Sequence, residues 1–329
     1  MSDREPGQRI KWLDICKGIL VLFVLLSHSR APTMYSRFFS GFFLTMFFFV
    51  SGYTFSTKQS FKLFIINKAK RLLVPFLAMG SIKLLVACVF QNENFLDRIK
   101  GLLFQISGYN DDLWFIGCLL SSSLIFYCIV KISEHTNKRF LVPVLSIIIS
   151  LIGWVLIIAF KAKLPWQAEN ACIMTLYMML GYQYKRLDKK IIDFIESKFT
   201  VGVCATIYCL FAILLENDVN IHRGIYSMYT PHIIMTLLSI PVLIVLSKKI
   251  EKFCVGGGNL LQYIGKNSLF LYAFENYVIK PFFKICDLLT LRNEYVLPIL
   301  CVFVIVIGLS PFIWIVNRYL PWMVGGKKS

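Results

Sequence analysis

The chain has 329 residues, of which 57% are hydrophobic and only 16% charged, and its mean hydropathy is +0.68. Soluble domains carry about 25% charged and roughly 45–50% apolar residues, so this balance excludes disorder, collagen and a disulfide-rich secreted module and points to a polytopic helical membrane protein. The net charge of +17 would mark nucleic-acid binding in a soluble chain, whereas in a membrane protein basic residues gather in cytoplasmic loops.

Apolar windows near residues 12–29, 38–56, 73–90, 113–131, 141–160, 168–184, 199–216, 231–247, 261–280 and 296–316 predict about ten transmembrane helices. Each is long enough to cross roughly 30 Å of hydrocarbon as a helix, the structure that satisfies its own backbone in lipid. The first window lacks a small-residue cleavage site and precedes nine others, so a retained helix is expected rather than a signal peptide. Polar breaks reach only about twenty residues, which predicts a single membrane domain over residues 1–329.

Counting the span-end Lys131 and Lys280 in their loops, 22 Lys and Arg fall on the N-terminal side of these spans and 10 on the other. That bias places both termini in the cytoplasm. The richest loops are 57–72, with Lys58, Lys62, Lys68, Lys70 and Arg71, and 185–198, with Lys185, Arg186, Lys189, Lys190 and Lys198. Ten cysteines form no CxxC pair and fall mostly in apolar stretches, where a thiol acts as a small hydrophobe; neither a disulfide framework nor a metal site is expected.

Ionisable groups inside spans are costly and mark functional sites. The first helix carries Asp14, Lys17 and His28. Eleven residues separate Lys17 from His28, which at 100° per residue is about 20° past three full turns, so the two share a face about 16 Å apart along the axis. Asp14 precedes Lys17 by three and can pair with it. A neutral imidazole can take a proton from a hydroxyl, so His28 is a candidate general base or else a polar packing residue; Lys17 either stabilises an anion or snorkels to the headgroups.

The run Ile10-Lys11-Trp12-Leu13-Asp14-Ile15-Cys16-Lys17-Gly18-Ile19, with His28 after it, resembles the first helix of the membrane acyltransferase-3 family, especially its fucose 4-O-acetylase-like members. Phe47-Phe48-Phe49-Val50-Ser51-Gly52-Tyr53 is similar to the aromatic SGY end of that family's second helix. Lys68-Ala69-Lys70-Arg71-Leu72-Leu73-Val74-Pro75 resembles its basic approach to the third, and Leu113-Trp114-Phe115 its LWF segment. Looser matches are Glu169-Asn170 through Leu180-Gly181-Tyr182 and Ile264-Gly265-Lys266-Asn267-Ser268-Leu269. Two departures stand out: Gly41-Phe42-Phe43-Leu44-Thr45-Met46 lacks the FHMP-like histidine of many relatives, and Tyr272-Ala273-Phe274-Glu275 has Glu275 near where many have His.

The resemblance implies an integral membrane O-acyltransferase of a bacterial cytoplasmic membrane, moving acetyl from cytoplasmic acetyl-CoA to a sugar hydroxyl of a cell-surface or lipid-linked glycan, with no metal. Its expected partners are the acyl-CoA, the glycan acceptor and membrane lipids, with a homo-oligomer admissible. The expected catalytic set is His28, Lys17, Asp14 and Glu275. Acyl transfer also needs a grip on the CoA phosphates, expected from Lys17, Ser51, Tyr53, Lys70 and Arg71, with Gly52 allowing close backbone approach. Carboxylates, amides and an indole face suit a sugar, so Asp112, Trp114, Glu169, Asn170, Glu275 and Asn276 form the expected acceptor set. A polytopic transporter or flippase of a glycan or lipid precursor is the alternative, and a non-catalytic partner of a glycan synthase a third reading. No internal repeat and no matched pair of Gly/Pro-broken helices favours transport.

Overall fold

A computed structural model of the chain describes residues 10–108, 113–215, 219–226 and 229–325. In chain order the described helices are α1 (Lys11–His28), α2 (Thr33–Phe39), α3 (Thr45–Tyr53), α4 (Phe61–Lys68), α5 (Val74–Phe90), α6 (Phe95–Phe104), α7 (Trp114–His135), α8 (Leu141–Ile158), α9 (Ala168–Tyr184), α10 (Lys189–Ile195), α11 (Lys198–Leu214), α12 (Tyr229–Phe253), α13 (Val255–Lys266), α14 (Ser268–Phe274), α15 (Asn276–Leu288) and α16 (Val296–Tyr319). A π-helical segment, Ala69–Leu73, joins α4 to α5. Two short antiparallel strands, β1 (Val219–Asn220) and β2 (Ile225–Tyr226), are the described extended structure.

Among the described residues, five helical runs are long and apolar enough to cross a membrane: Phe61–Phe90, α7, α8, α12 and α16. A sixth follows if α10 and α11, bent by 48°, form one span. The remaining predicted windows fall on helices that are shorter or more charged. α9 has 17 residues, and α1 carries Lys11, Asp14 and Lys17. Lipid exposure is written on α8, where Ile147, Ile148, Leu151, Ile152 and Val155 face outward and Ser146, Ser150, Gly153 and Ile157 inward. Only 28% of the apolar window is buried in α8 and in α16, a surface suited to hydrocarbon rather than water.

Two predicted spans are not single helices. Window 38–56 breaks at 40–44 between α2 and α3, and side chains take over the carbonyls that the break leaves: Tyr208 Oη donates to the Phe38 carbonyl and Thr236 Oγ1 to that of Gly41, both at 2.9 Å. Window 261–280 breaks at Asn267, whose Nδ2 donates to the Tyr263 carbonyl at 2.8 Å and competes with the helical ladder.

The chain divides into two compact units, one of Met1–Leu44, Lys189–Leu215 and Ile234–Gly308, the other of Thr45–Asp188, Glu216–Ile233 and Leu309–Ser329. In the first, α1 crosses α13 at glycines. A Cβ on Gly265 would lie 1.8 Å from the Asp14 carbonyl oxygen, and one on Gly18 2.1 Å from that of Leu261. In the second, α3 crosses α9 in the same manner, with a Cβ on Gly52 1.9 Å from the Met178 carbonyl and one on Gly181 1.9 Å from that of Phe49. Small residues let membrane helices pack backbone to backbone, where dispersion rather than hydrophobic burial holds them. The room beside Gly52 is thus taken by α9.

Candidate active site

The expected site residues divide between the two units. In the first, α1 runs unbroken from Lys11 to His28, so Lys17 and His28 keep the shared face and the axial separation of about 16 Å that eleven residues require. Asp14 is buried, and its Oδ1 accepts a hydrogen bond from Lys17 Nζ at 3.3 Å. The close passage of α13 over the Asp14 carbonyl, made possible by Gly265, fixes this turn of α1.

At the other end of α1, His28 Nδ1 hydrogen-bonds Glu275 Oε1 across 247 residues of sequence. The histidine side chain is 42% exposed and the glutamate 1%. An ionised Glu275 accepts at this bond, which puts the proton on Nδ1 and the basic lone pair on Nε2. A carboxylate on Nδ1 orients the imidazole of hydrolase triads in the same way. The helix end is stitched by Ser27 Oγ and Ser29 Oγ, which donate to the Val24 and Leu25 carbonyls at 2.7 Å each. Asn276, next to Glu275, is exposed.

In the second unit, the π-helical turn sets the direction of the basic segment. Lys68 turns inward, its Nζ donating to Ser123 Oγ at 3.0 Å and lying 6.0 and 5.8 Å from the ring centroids of Phe55 and Phe64. Lys70 and Arg71 are exposed, and the backbone of Arg71 packs on Gly325. π-Turns cluster at functional sites, and Lys68, the last residue of α4 just before this one, is a group that sequence spacing passed over, because its inward bond is to Ser123, 55 residues away in the chain. Ser51 and Tyr53 are half-buried, and the Tyr53 ring lies 6.2 Å from Tyr184 at the end of α9.

Glu169 and Asn170 are buried and serve the chain's own backbone. Glu169 Oε2 accepts from the Leu164 N–H at 3.0 Å, while Asn170 Nδ2 donates to Gln167 Oε1 at 2.8 Å. Together they hold Trp166 and Gln167 in the left-handed region, at φ 59° and 55°, at the start of α9. Trp114 is buried and stacks on His222 with ring centroids 5.1 Å apart. Asp111 and Asp112 lie outside the described residues. Gln105 and Lys83, both buried, line a small cavity with Arg98; as isolated polar residues they carry no sequence spacing that would have singled them out.

Lipid-facing apolar helices and glycine-mediated crossings define a helical integral membrane protein, with a histidine–carboxylate pair at one helix end. The chain belongs to the acyltransferase-3 family: the family's sequence model, described as an acyltransferase domain, matches residues 10–315, nearly the whole chain. It is accordingly a membrane acyltransferase. Searches of curated proteins and of solved structures found no significant match.

Proposed function

We propose that the protein transfers acetyl from cytoplasmic acetyl-CoA to a sugar hydroxyl of a cell-surface or lipid-linked glycan, with His28 as general base. The observation that supports this reading is the His28–Glu275 pair, since an ionised carboxylate on Nδ1 orients the imidazole for proton transfer at Nε2. In the transfer, Nε2 takes the proton of the acceptor hydroxyl as the oxygen attacks the thioester carbonyl. The tetrahedral intermediate then collapses, the C–S bond breaks, and the imidazolium returns the proton to the departing CoA thiolate. Glu275 stabilises the imidazolium, and Lys17, held by Asp14, stabilises negative charge on the donor side.

Ten spans, both termini in the cytoplasm and a bacterial cytoplasmic membrane complete the proposal, supported by the ten apolar windows and the loop-charge bias. On that topology His28 sits at the outer end of α1, and Ser51, Tyr53, Lys70 and Arg71 lie toward the donor's side. Trp114, Glu169, Asn170 and Asn276, with Asp112, are the proposed acceptor side; buried Glu169 and Asn170 act there by shaping the loop before α9.

The test is glycan acetylation. Deletion of the gene should remove the acetyl group from the glycan by mass spectrometry. Wild type should restore it, and a correctly inserted His28→Ala protein should not. Full restoration by that variant would refute the base assignment. Substrate flux without acetyl-CoA dependence would point to a transporter instead.

A further inference from the structure

The second unit gathers cations from separate segments into one patch. Lys185 and Arg186 follow the last residue of α9, and Lys58 comes from the loop after α3. All three are exposed. Lys185 Nζ lies 5.8 Å from the Tyr53 ring centroid. Arg186 lies flat on Tyr182, its Cζ 3.3 Å from the ring centroid, and its Nη1 donates to the Tyr182 carbonyl at 2.8 Å. Tyr53 and Tyr184 continue the aromatic floor.

Burial and then repulsion from Arg186 and Lys58 hold the Lys185 ammonium below the usual lysine range, so the three charges lie within electrostatic reach of one another. One carboxylate faces the patch and offsets part of its charge: Glu134 lies within electrostatic reach of Arg186. Glu134 on α7 already bonds Thr57 Oγ1 and, at 2.8 Å, Lys131 Nζ, while Arg139 adds a further cation near Tyr182. Asp188, two residues beyond Arg186, is exposed. A helix C-terminus attracts cations and accounts for the Arg186 bond to the Tyr182 carbonyl. It does not account for Lys58, which arrives from another segment.

We propose that Lys58, Lys185 and Arg186, over the Tyr53 and Tyr182 rings, bind the phosphate groups of the acyl-CoA donor. The inference rests on the donor reading above and adds to it the residues that grip the donor. A guanidinium stacked on a ring keeps its N–H edge pre-organised for a bidentate oxyanion, and a flexible ammonium beside it supplies a point charge. Phosphate could also come from an anionic lipid headgroup, so the experiment separates the two sources.

Full-length protein is reconstituted in nanodiscs of phosphatidylcholine alone, and CoA binding is measured by calorimetry. Lys185→Ala/Arg186→Ala should weaken the CoA Kd by about tenfold or more, as expected for losing charge-assisted bonds to phosphate. Lys58→Ala, which leaves α9 untouched, should weaken it in the same direction. Lys185→Arg, which keeps the charge, should bind near wild type, Arg186→Lys, which loses the stacked fork, should fall between wild type and the double alanine variant, and pantetheine, which lacks the phosphates, should bind all forms equally. An unchanged CoA Kd in the double variant overturns the proposal, as does an equal loss in the control Lys189→Ala/Lys190→Ala, which would make the effect one of net charge. A loss seen only when anionic lipid is added to the discs assigns the patch to headgroups and likewise overturns it. Wild-type protein that binds no CoA at all overturns the donor reading itself, a result distinct from the others.

Discussion

A histidine at the end of a membrane helix is a common packing residue, and His28 differs by having a buried carboxylate on its Nδ1. Removing the imidazole should lower acetyl transfer by about 10²- to 10⁴-fold, the usual worth of general acid–base catalysis, in protein whose insertion is confirmed by protease protection. Glu275→Gln should lower kcat by between about 10- and 10⁴-fold, since an orienting carboxylate in a catalytic triad is worth up to the larger figure and the imidazole it would orient is partly exposed here. Wild-type kcat in that variant would remove Glu275 from the mechanism. At the proposed donor site, the depressed Lys185 titration has a definite sign. Its charge is lost at lower pH than for a free lysine, so CoA binding should begin to weaken, as pH is raised, earlier than in Lys185→Arg, which keeps its charge throughout. Binding isotherms over an alkaline pH series would show this, and superimposable profiles for the two proteins would contradict it.

Among the elements, the glycine crossings decide how α1 and α9 are held. Gly265→Val would drive a side chain into the Asp14 carbonyl and the Gly18 backbone, neither of which is the free end of a flexible side chain. The expected loss is about 1–3 kcal/mol or more, seen as a lower Tm and poor monodispersity in detergent. Gly308→Ala on α16 is the matched control: nothing lies within 4 Å of its Cβ position, so it should be neutral or stabilise by up to about 1 kcal/mol through helix propensity. Most helices were legible in the sequence, because a run of apolar residues long enough to span lipid has few other options. The π-turn at Ala69–Leu73 was not, because it changes which face Lys70 and Arg71 present without leaving a mark in composition. The breaks at 40–44 and at Asn267 were equally hidden, because each depends on local side-chain bonds rather than on polarity.

For the whole molecule, the prediction is topological. Single cysteines placed in a cysteine-free background at residues 161–163 should label with an impermeant maleimide from outside intact cells, and those at 189–190 only after lysis. The reverse pattern would overturn the proposed orientation and the cytoplasmic position of the donor patch with it. The amino-acid sequence by itself determined the bilayer as solvent, the acyltransferase family and the Lys17–His28 face of α1, because hydropathy and helical periodicity are local properties of the chain. Only the tertiary structure decided that Glu275 meets His28 across 247 residues, that Gly52 admits α9, that Glu169 and Asn170 brace the loop before α9, and that Arg186 stacks on Tyr182 beside Lys185 on Tyr53. Contacts of that kind join residues far apart in the chain, and their partners are chosen by helix crossing and packing, which spacing along one segment does not encode.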